Sequence, residues 1–363
     1  MRFSFLVAAV ALGAACGGGG GGPPDASAGD APAPGFEPGA AFLLTPGSPA
    51  EDEDPSVLRA ADGTLAVAFF SRRGGNADIY VTTTRDGTHW SGPARVTTDA
   101  ADDFAPSLIQ DRTGRFHLTW FRRAPSPTYY AHVRATSTLD LAAWNPADER
   151  RATDATGFLE DWVPTLAETP GGQLLIVFVS RFRSAGTNYK LYATTSGDGG
   201  DTWGAPVALA DVNDPAAHDH LPFLARADAG LTLAWVRCDT TNMTPWANPS
   251  ADVFLSTSAD GVRWTAPANV THDANVIDVF PGLYRRFDGA WSLAWVTTAE
   301  SASGSVVDLP VAGIAAYPAG RTDLPLAGYS PRIVATPRDG VYFGVTVAGA
   351  TGTQDLYGRF FRK

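Results

Sequence analysis

The stretch Ser196-Gly-Asp198-Gly-Gly200-Asp-Thr-Trp203 has the spacing of a tight turn between two β-strands. The carboxylate of Asp198 is placed to accept hydrogen bonds from the amides of its own turn. Gly200 supplies backbone freedom that a Cβ would forbid, and the ring of Trp203 is expected to lie under the hairpin as a plug. The octet therefore predicts an architectural turn.

The same pattern recurs along the chain at near-regular spacing. Asp86 precedes Trp90 and Asp260 precedes Trp264, each with one residue fewer between them than in the first copy. A degraded copy around Asp140 has lost its glycine. Repetition of this kind indicates a repeat architecture and says little about function.

The pattern S-x-D-x-G-x-x-W resembles the Asp-box, or BNR repeat, of sialidase-like β-propellers. The resemblance covers most of the chain from Ala40 and implies a propeller built of similar blades. It assigns structural roles to the repeated turn residues, which are Asp86, Trp90, Asp198, Trp203, Asp260 and Trp264.

From Ala40 onward the sequence repeats every fifty to sixty residues or so. Each repeat has a polar approach to a proline, a short apolar strand, a hairpin turn and a second, more apolar strand. A third strand, an Asp-box-like turn and a fourth strand complete it. The prolines that mark the repeats are Pro55, Pro106, Pro164, Pro222, Pro281 and Pro331.

The sixth repeat ends at Lys363 after only three strands, and Ala41 to Thr45 has the character of a fourth strand. We therefore predict an all-β, six-bladed β-propeller over residues 40–363, closed by this N-terminal strand. A pair of β-sandwiches would not explain the period.

The N-terminus reads as an export signal. Residues 1–15 contain Arg2, a short apolar stretch and small residues before Cys16, an arrangement similar to a bacterial lipobox. Residues 16–39 are a Gly/Pro/Ala tract that predicts a flexible tether. The expectation is a lipoprotein acylated at Cys16 in the bacterial cell envelope; the alternative is ordinary secretory cleavage nearby. If Cys16 is lipidated, Cys238 has no disulfide partner.

Composition narrows the classes of partner. The net charge of −11 argues against nucleic acid or an anionic membrane surface. The membrane is expected as a partner only through the lipid anchor. We expect a monomer without a cofactor.

Aligning the repeats on their prolines places an Asp three residues earlier in five of them, beside a partial ring of aromatic residues two residues earlier. One interpretation is a polar ligand pocket, in which aromatic rings stack on sugars while Asp and Arg bind hydroxyl or acid groups. The alternative, favoured for a feature that repeats, is that each Asp caps its strand and pairs with an arginine of a neighbouring blade. The candidate ligand-binding residues are Asp103, Asp161, Trp162, His218, Asp219, His220, Arg122, Arg181, Arg237 and Tyr329.

Within that set, the better functional indicators are the residues that depart from the repeat: Trp162, His218, His220 and Tyr329. A metal site at His218 and His220 is disfavoured because no further ligands are in view. No metal is therefore predicted.

The catalytic set that the sialidase resemblance implies is incomplete. The first repeat has Glu53-Asp54-Pro55 where the family carries an arginine, and the fourth has no glutamate to activate a tyrosine nucleophile. Tyr329 is similar to the family's tyrosine, but without a base it would stay a protonated phenol. We therefore expect glycan or other ligand binding without catalysis. The alternatives are a divergent exo-α-sialidase or other glycoside hydrolase, and a scaffold for protein partners.

Overall fold

The computed structural model describes residues 37–46, 50–124, 130–153, 159–183, 186–227, 230–298, 305–349 and 354–363. The predicted signal peptide, Cys16 and most of the predicted tether lie outside these ranges. The described chain is an all-β propeller. Its helices are the short 3-10 turns Pro146–Asp148, Pro245–Ala247 and Val311–Ala316. Within the described ranges, no helix has the length and apolar character needed to cross a membrane.

Strands recur in groups of four, which we number as repeats 1 to 6. Repeat 1 has β2 (Asp52–Arg59), β3 (Leu65–Ser71), β4 (Asp78–Thr84) and β5 (Ala94–Arg95); repeat 2 has β6 (Asp102–Gln110), β7 (Phe116–Arg123), β8 (Ala131–Thr138) and β9 (Arg150–Arg151); repeat 3 has β10 (Glu160–Glu168), β11 (Leu174–Arg181), β12 (Lys190–Ser196) and β13 (Val207–Ala208). Repeat 4 has β14 (His218–Ala227), β15 (Gly230–Cys238), β16 (Asp252–Ser258) and β17 (Ala268–Asn269); repeat 5 has β18 (Asp278–Arg285), β19 (Trp291–Thr297), β20 (Ser305–Pro310) and β21 (Thr322–Asp323); repeat 6 has β22 (Tyr329–Ala335), β23 (Val341–Ala348), β24 (Asp355–Arg362) and β1 (Phe42–Leu43).

Hydrogen bonding groups these strands into four four-stranded sheets and one eight-stranded sheet. The large sheet joins repeats 2 and 3, because Ala131 of β8 forms a parallel bridge with Glu160 of β10. The predicted set of six separate sheets is therefore not reproduced in full. Each first strand contacts the first strand of the next repeat, and β22 contacts β2, so the inner strands form a closed ring.

The N-terminal strand pairs with the C-terminal strand, as the sequence predicts. Phe42 lies opposite Gly358 in the antiparallel β1–β24 pair. The Phe42 ring packs against Phe343 and Phe360, with ring centroids 6.5 and 6.0 Å apart, and Leu44 is buried in the same cluster. Apolar burial therefore holds both chain ends in one sheet.

The propeller has two unlike faces. On one, which we call the lower face, the hairpins between first and second strands lie beside the Asp-box-like turns; Arg85 of a turn bridges to Asp62 of a hairpin at 3.3 Å. The chain enters the propeller at this face, where Glu37 is ion-paired with Arg338 of the β22–β23 hairpin. The upper face carries the starts of the first strands and the loops between second and third strands.

Every first strand has the same kink. The residue before the marker proline adopts a positive φ in all six repeats, and the pairing with the second strand shifts register there. These strained residues are Asp54, Ala105, Val163, Leu221, Phe280 and Ser330. A bulge of this kind re-aims the residues before it, in this fold toward the upper mouth of the central channel.

The repeated turns have the hydrogen bonds that the sequence predicts. The Asp198 carboxylate accepts from the Thr202 amide at 3.0 Å, and the Asp260 carboxylate accepts from the Val262 amide at 2.8 Å. The Asp86 carboxylate accepts from the Thr88 amide at 2.8 Å. Each carboxylate stabilises its own turn, so these residues are architectural.

Candidate functional site

The candidate site is the upper mouth of the channel, where the predicted ring of aspartates meets the non-repeating residues. All five aspartates are fully buried: Asp52, Asp103, Asp161, Asp219 and Asp278. A buried carboxylate needs a partner, and each of these has one within its own sheet.

Four of the partners are arginines that leave the second strand of the same repeat. Arg122 binds Asp103 through two contacts of 2.8 Å, and Arg237 binds Asp219 at 2.7 Å. The expectation that each Asp pairs with a neighbouring blade's arginine is therefore wrong: each arginine belongs to the same repeat as its Asp, and Arg122 and Arg237 lie directly opposite theirs in the antiparallel pairing. The other two arginine pairs are Arg73 with Asp52 and Arg183 with Asp161.

Five of the predicted ligand-binding residues take part in these buried ion pairs. The side chains of Asp103, Asp161, Asp219, Arg122 and Arg237 are all engaged in these buried pairs. Their position favours the architectural alternative over direct ligand contact.

Tyr329 has a carboxyl partner. Its phenol donates a hydrogen bond of 3.0 Å to Oε2 of Glu53, which lies on β2 of the first repeat. The sialidase resemblance implies a glutamate in the fourth repeat, where the sequence has none, so no carboxyl partner for Tyr329 is predicted from sequence. Ring closure supplies it, because β22 and β2 are neighbours and both residues stand two positions before their marker proline.

The surroundings keep both groups protonated. Burial raises the pKa of Glu53 to about 9, and the negative charge of Asp54 and a hydrogen bond with Glu51 add to the shift. Burial, followed by the charge of Glu53, holds the pKa of Tyr329 well above its ordinary value. At neutral pH the pair is thus a phenol bonded to a carboxylic acid, and neither group is ionised.

Arg332 reaches across the channel below this pair. Its guanidinium donates to the carbonyl oxygens of Pro331 at 2.8 Å and Pro281 at 3.3 Å, and lies 5.0 Å from the Phe223 ring centroid. Burial raises the pKa of Asp54 to about 6, against the attraction of Arg332. The arginine is therefore committed to backbone acceptors inside the channel.

A second cluster lies on the rim of repeats 3 and 4. Tyr189 donates from its hydroxyl to Glu160 Oε2 at 3.2 Å and from its amide to His218 Nδ1 at 3.1 Å. Its ring centroid is 4.7 Å from that of His220. Burial lowers the pKa of His220 to about 3, so this imidazole is neutral. His218 and His220 thus both contact Tyr189, which is not among the residues predicted from the sequence.

Arg181 and Trp162 are the two remaining residues of the predicted ligand-binding set. The Arg181 guanidinium lies over the rings of Phe182 and Tyr189, at 4.6 and 5.5 Å from their centroids. Trp162 is partly buried and packs against Phe121, with centroids 5.2 Å apart. Trp162 therefore belongs in part to the core.

No group of three or more metal-binding side chains is found in the parts of the chain that the structure describes. Neutral His220 also lacks a hydrogen-bond partner for Nε2 among those residues. The histidine pair alone does not make a metal site.

Comparison with known proteins places the fold. No protein-family model and no curated protein matches the chain. Among solved structures, a protein of unknown function from Dyadobacter fermentans has a TM-score of 0.69 at 14% identity, covering 90% of this chain and 98% of its own. The GH93 α-L-arabinofuranosidase of Fusarium graminearum in complex with arabinobiose has a TM-score of 0.66 at 15% identity, covering 89% and 98%. The NanB sialidase of Streptococcus pneumoniae has a TM-score of 0.59 at 11% identity, covering 88% and 70%. At these identities the likeness shows a shared sialidase-like propeller fold.

Proposed function

We propose that the protein is an exported, lipid-anchored propeller that binds a glycan or another polar extracellular ligand at its upper face without hydrolysing it. The observation that carries the proposal is the Tyr329–Glu53 contact, in which both partners hold their protons. A tyrosine nucleophile needs a base that takes its proton. Glu53 is itself an acid at neutral pH, because its pKa is raised to about 9.

The geometry of the carboxyl groups also favours binding. Glycoside hydrolysis by two carboxyl groups needs them on opposite sides of the scissile bond, about 5 to 9.5 Å apart. Glu53 is instead hydrogen-bonded to Glu51, which is ion-paired with Arg72 at 2.7 Å. The Glu53–Glu51 pair therefore cannot be the two carboxyl groups that flank a glycosidic bond.

Support for a sugar ligand comes from the upper rim and from the structural neighbours. The rim combines partly exposed aromatic side chains with Arg and Glu groups, a mixture suited to polar ligands with apolar faces. Several neighbours are, by their descriptions, arabinofuranosidases or sialidases. Both observations are consistent with a carbohydrate.

The number of blades is also part of the proposal. We count the eight-stranded sheet as two blades, because a single parallel bridge joins its halves and each half repeats the four-stranded order of the other sheets. This gives six blades with Asp-box turns on the lower face. The export signal and the acylation of Cys16 rest on the sequence alone.

The Tyr329–Glu53 contact also favours one alternative, a divergent glycoside hydrolase. A protonated Glu53 is a possible proton donor to a leaving group. The proposal is tested by screening the full chain, purified in detergent, on an array of neutral and acidic oligosaccharides. Saturable binding of an oligosaccharide that is recovered intact is expected; cleavage of the bound sugar would favour the hydrolase, and the absence of any binding would contradict both.

A further inference from the structure

Arg181 holds the place in repeat 3 that Arg123 holds in repeat 2, because each lies opposite the acidic residue just before the buried aspartate. In repeats 1 to 4 one arginine binds the buried aspartate, and in repeat 3 that arginine is Arg183, at 2.6 Å from Asp161. Arg181 is thus an additional arginine on the same rim. Arg123 is ion-paired with Asp102 at 2.9 Å, whereas Arg181 lies 3.9 Å from Glu160, so the pairing of Arg181 is the looser of the two.

The contacts of the Arg181 guanidinium with Glu160 and Met243 are long. Its NH1 atom lies 3.9 Å from Glu160 Oε2 and 4.0 Å from Met243 Sδ, both beyond the length of a strong hydrogen bond. Its Nε atom is buried and has no hydrogen-bond partner within the described chain. The side chain is 20% exposed, so the guanidinium still reaches solvent.

Phe182, the next residue, is unusual in two ways. Its side chain is 47% exposed, although a large aromatic side chain gains free energy from burial. Its φ is 71°, a left-handed conformation that is unfavourable for a residue other than glycine. Strain of this kind persists at ligand-binding sites, where it holds a side chain in a useful position.

The neighbouring groups fix the arrangement. The Arg181 guanidinium lies over the rings of both Phe182 and Tyr189, at 4.6 and 5.5 Å from their centroids. The Tyr189 hydroxyl in turn holds Glu160 at 3.2 Å, leaving that carboxylate 24% exposed. An exposed aromatic ring therefore stands beside a fixed donor and a fixed acceptor.

We propose that Phe182, Arg181 and Glu160 form a carbohydrate subsite, in which the Phe182 ring stacks on the apolar face of a sugar and the two charged groups bind its hydroxyls. The inference deepens the proposed function and rests on it. A sugar ring presents C–H groups on one face and hydroxyls at its edge, which match an aromatic surface flanked by a charged pair. Of the aromatic residues at the upper rim, Phe182 and not Trp162 is then the main stacking residue.

The test uses the full chain in detergent and the oligosaccharide that binds most tightly on the array described above. Phe182→Ala and Arg181→Ala should each raise the Kd at least about tenfold, and Phe182→Trp should retain binding. Phe287→Ala is the matched control, because Phe287 is also exposed, at 36%, but lies in a lower-face hairpin. It should leave the Kd unchanged.

Phe182→Gly separates binding from stability. Glycine tolerates the positive φ, so this variant should melt no lower than the wild type while binding as weakly as Phe182→Ala. An unchanged Kd in Phe182→Ala and Phe182→Gly would overturn the subsite and leave the proposed function standing. A wild-type chain that binds no oligosaccharide on the array would overturn both.

Discussion

The phenol of Tyr329 and the carboxyl group of Glu53 are hydrogen-bonded at 3.0 Å although 276 positions separate them in the chain. The contact forms where the last first strand, β22, meets β2. Tyr329 therefore has a carboxylic acid, Glu53, beside it, and it lacks the carboxylate base that a tyrosine nucleophile requires.

The first prediction concerns turnover. Neither a fluorogenic sialoside nor a fluorogenic arabinofuranoside should be hydrolysed faster by the wild type than by Tyr329→Phe, from pH 4 to pH 8. The physical reason is that Tyr329, with its raised pKa, stays protonated beside a protonated Glu53. Turnover that both Tyr329→Phe and Glu53→Gln abolish would establish the hydrolase instead.

The second prediction concerns pH and stability. Burial raises the pKa of Glu53 to about 9 in the folded protein from an ordinary value of 4.5, so the folded state keeps a proton that the unfolded state releases. The free energy of unfolding should therefore fall as pH rises from about 4.5 to 9, by up to about 1.4 kcal/mol per pH unit. Glu53→Gln cannot ionise, so it should lack this slope and be more stable than the wild type at pH 8, by up to about 5 kcal/mol.

Urea unfolding between pH 5 and pH 9 measures this effect. Asp339→Asn is the control, because Asp339 is exposed on a lower-face hairpin and should leave the pH slope unchanged. A Glu53→Gln variant with the wild-type slope would contradict the assignment of a buried neutral acid.

The third prediction concerns the buried aspartates. Asp161→Asn should lower the free energy of unfolding by about 3–5 kcal/mol, because it leaves the Arg183 guanidinium without its carboxylate. Asp278→Asn is the matched control: Asp278 holds the same place in repeat 5 but bonds Trp295 Nε1 at 3.0 Å instead of an arginine. It should cost about 1 kcal/mol or less. Equal losses in urea unfolding would show that the arginine pairing is not what stabilises this position.

The fourth prediction concerns ring closure. Deleting the chain through Pro46 removes Phe42 and the buried Leu44, and should lower the free energy of unfolding by about 3 kcal/mol or more or cause aggregation. Among the described contacts, deletion through residue 38 removes the surface ion pair of Glu37, and it should cost less than about 1 kcal/mol. The melting temperatures of the two truncated proteins provide the comparison. Similar values would mean that β1 does not close the ring.

The fifth prediction concerns the proposed anchor. Radiolabelled palmitate should enter the wild-type protein expressed in a bacterium, and Cys16→Ser should remain unlabelled and soluble. The lipobox-like order of apolar residues, small residues and cysteine is the reason for this expectation. Equal labelling of the two proteins would exclude acylation at Cys16.

Most of the fold could be predicted from the sequence repeat, whereas Glu53 and Phe182 at the candidate site could not. Strands follow from local apolar patterns: the apolar run from Leu65 to Phe70 predicts a strand, and β3 contains this run and Ser71. Glu53 was overlooked because its partner is remote in sequence and because the family motif directs attention to the fourth repeat. Its position two residues before Pro55, matched with Tyr329 before Pro331, would have identified it once ring closure was taken into account. Phe182 gave no comparable signal, because exposure and a positive φ are properties of the folded loop.

Glu37, ion-paired with Arg338, places the start of the described chain at the lower face. If Cys16 carries a lipid as proposed, the membrane lies on the lower-face side and the proposed ligand-binding upper face points away from it. The 20 residues between Cys16 and Glu37 allow a mean reach of about 25 Å if the segment behaves as a flexible coil. With that anchor, the proposed site would meet polymers that arrive from the surroundings, and glycans rooted in the same membrane would lie behind it.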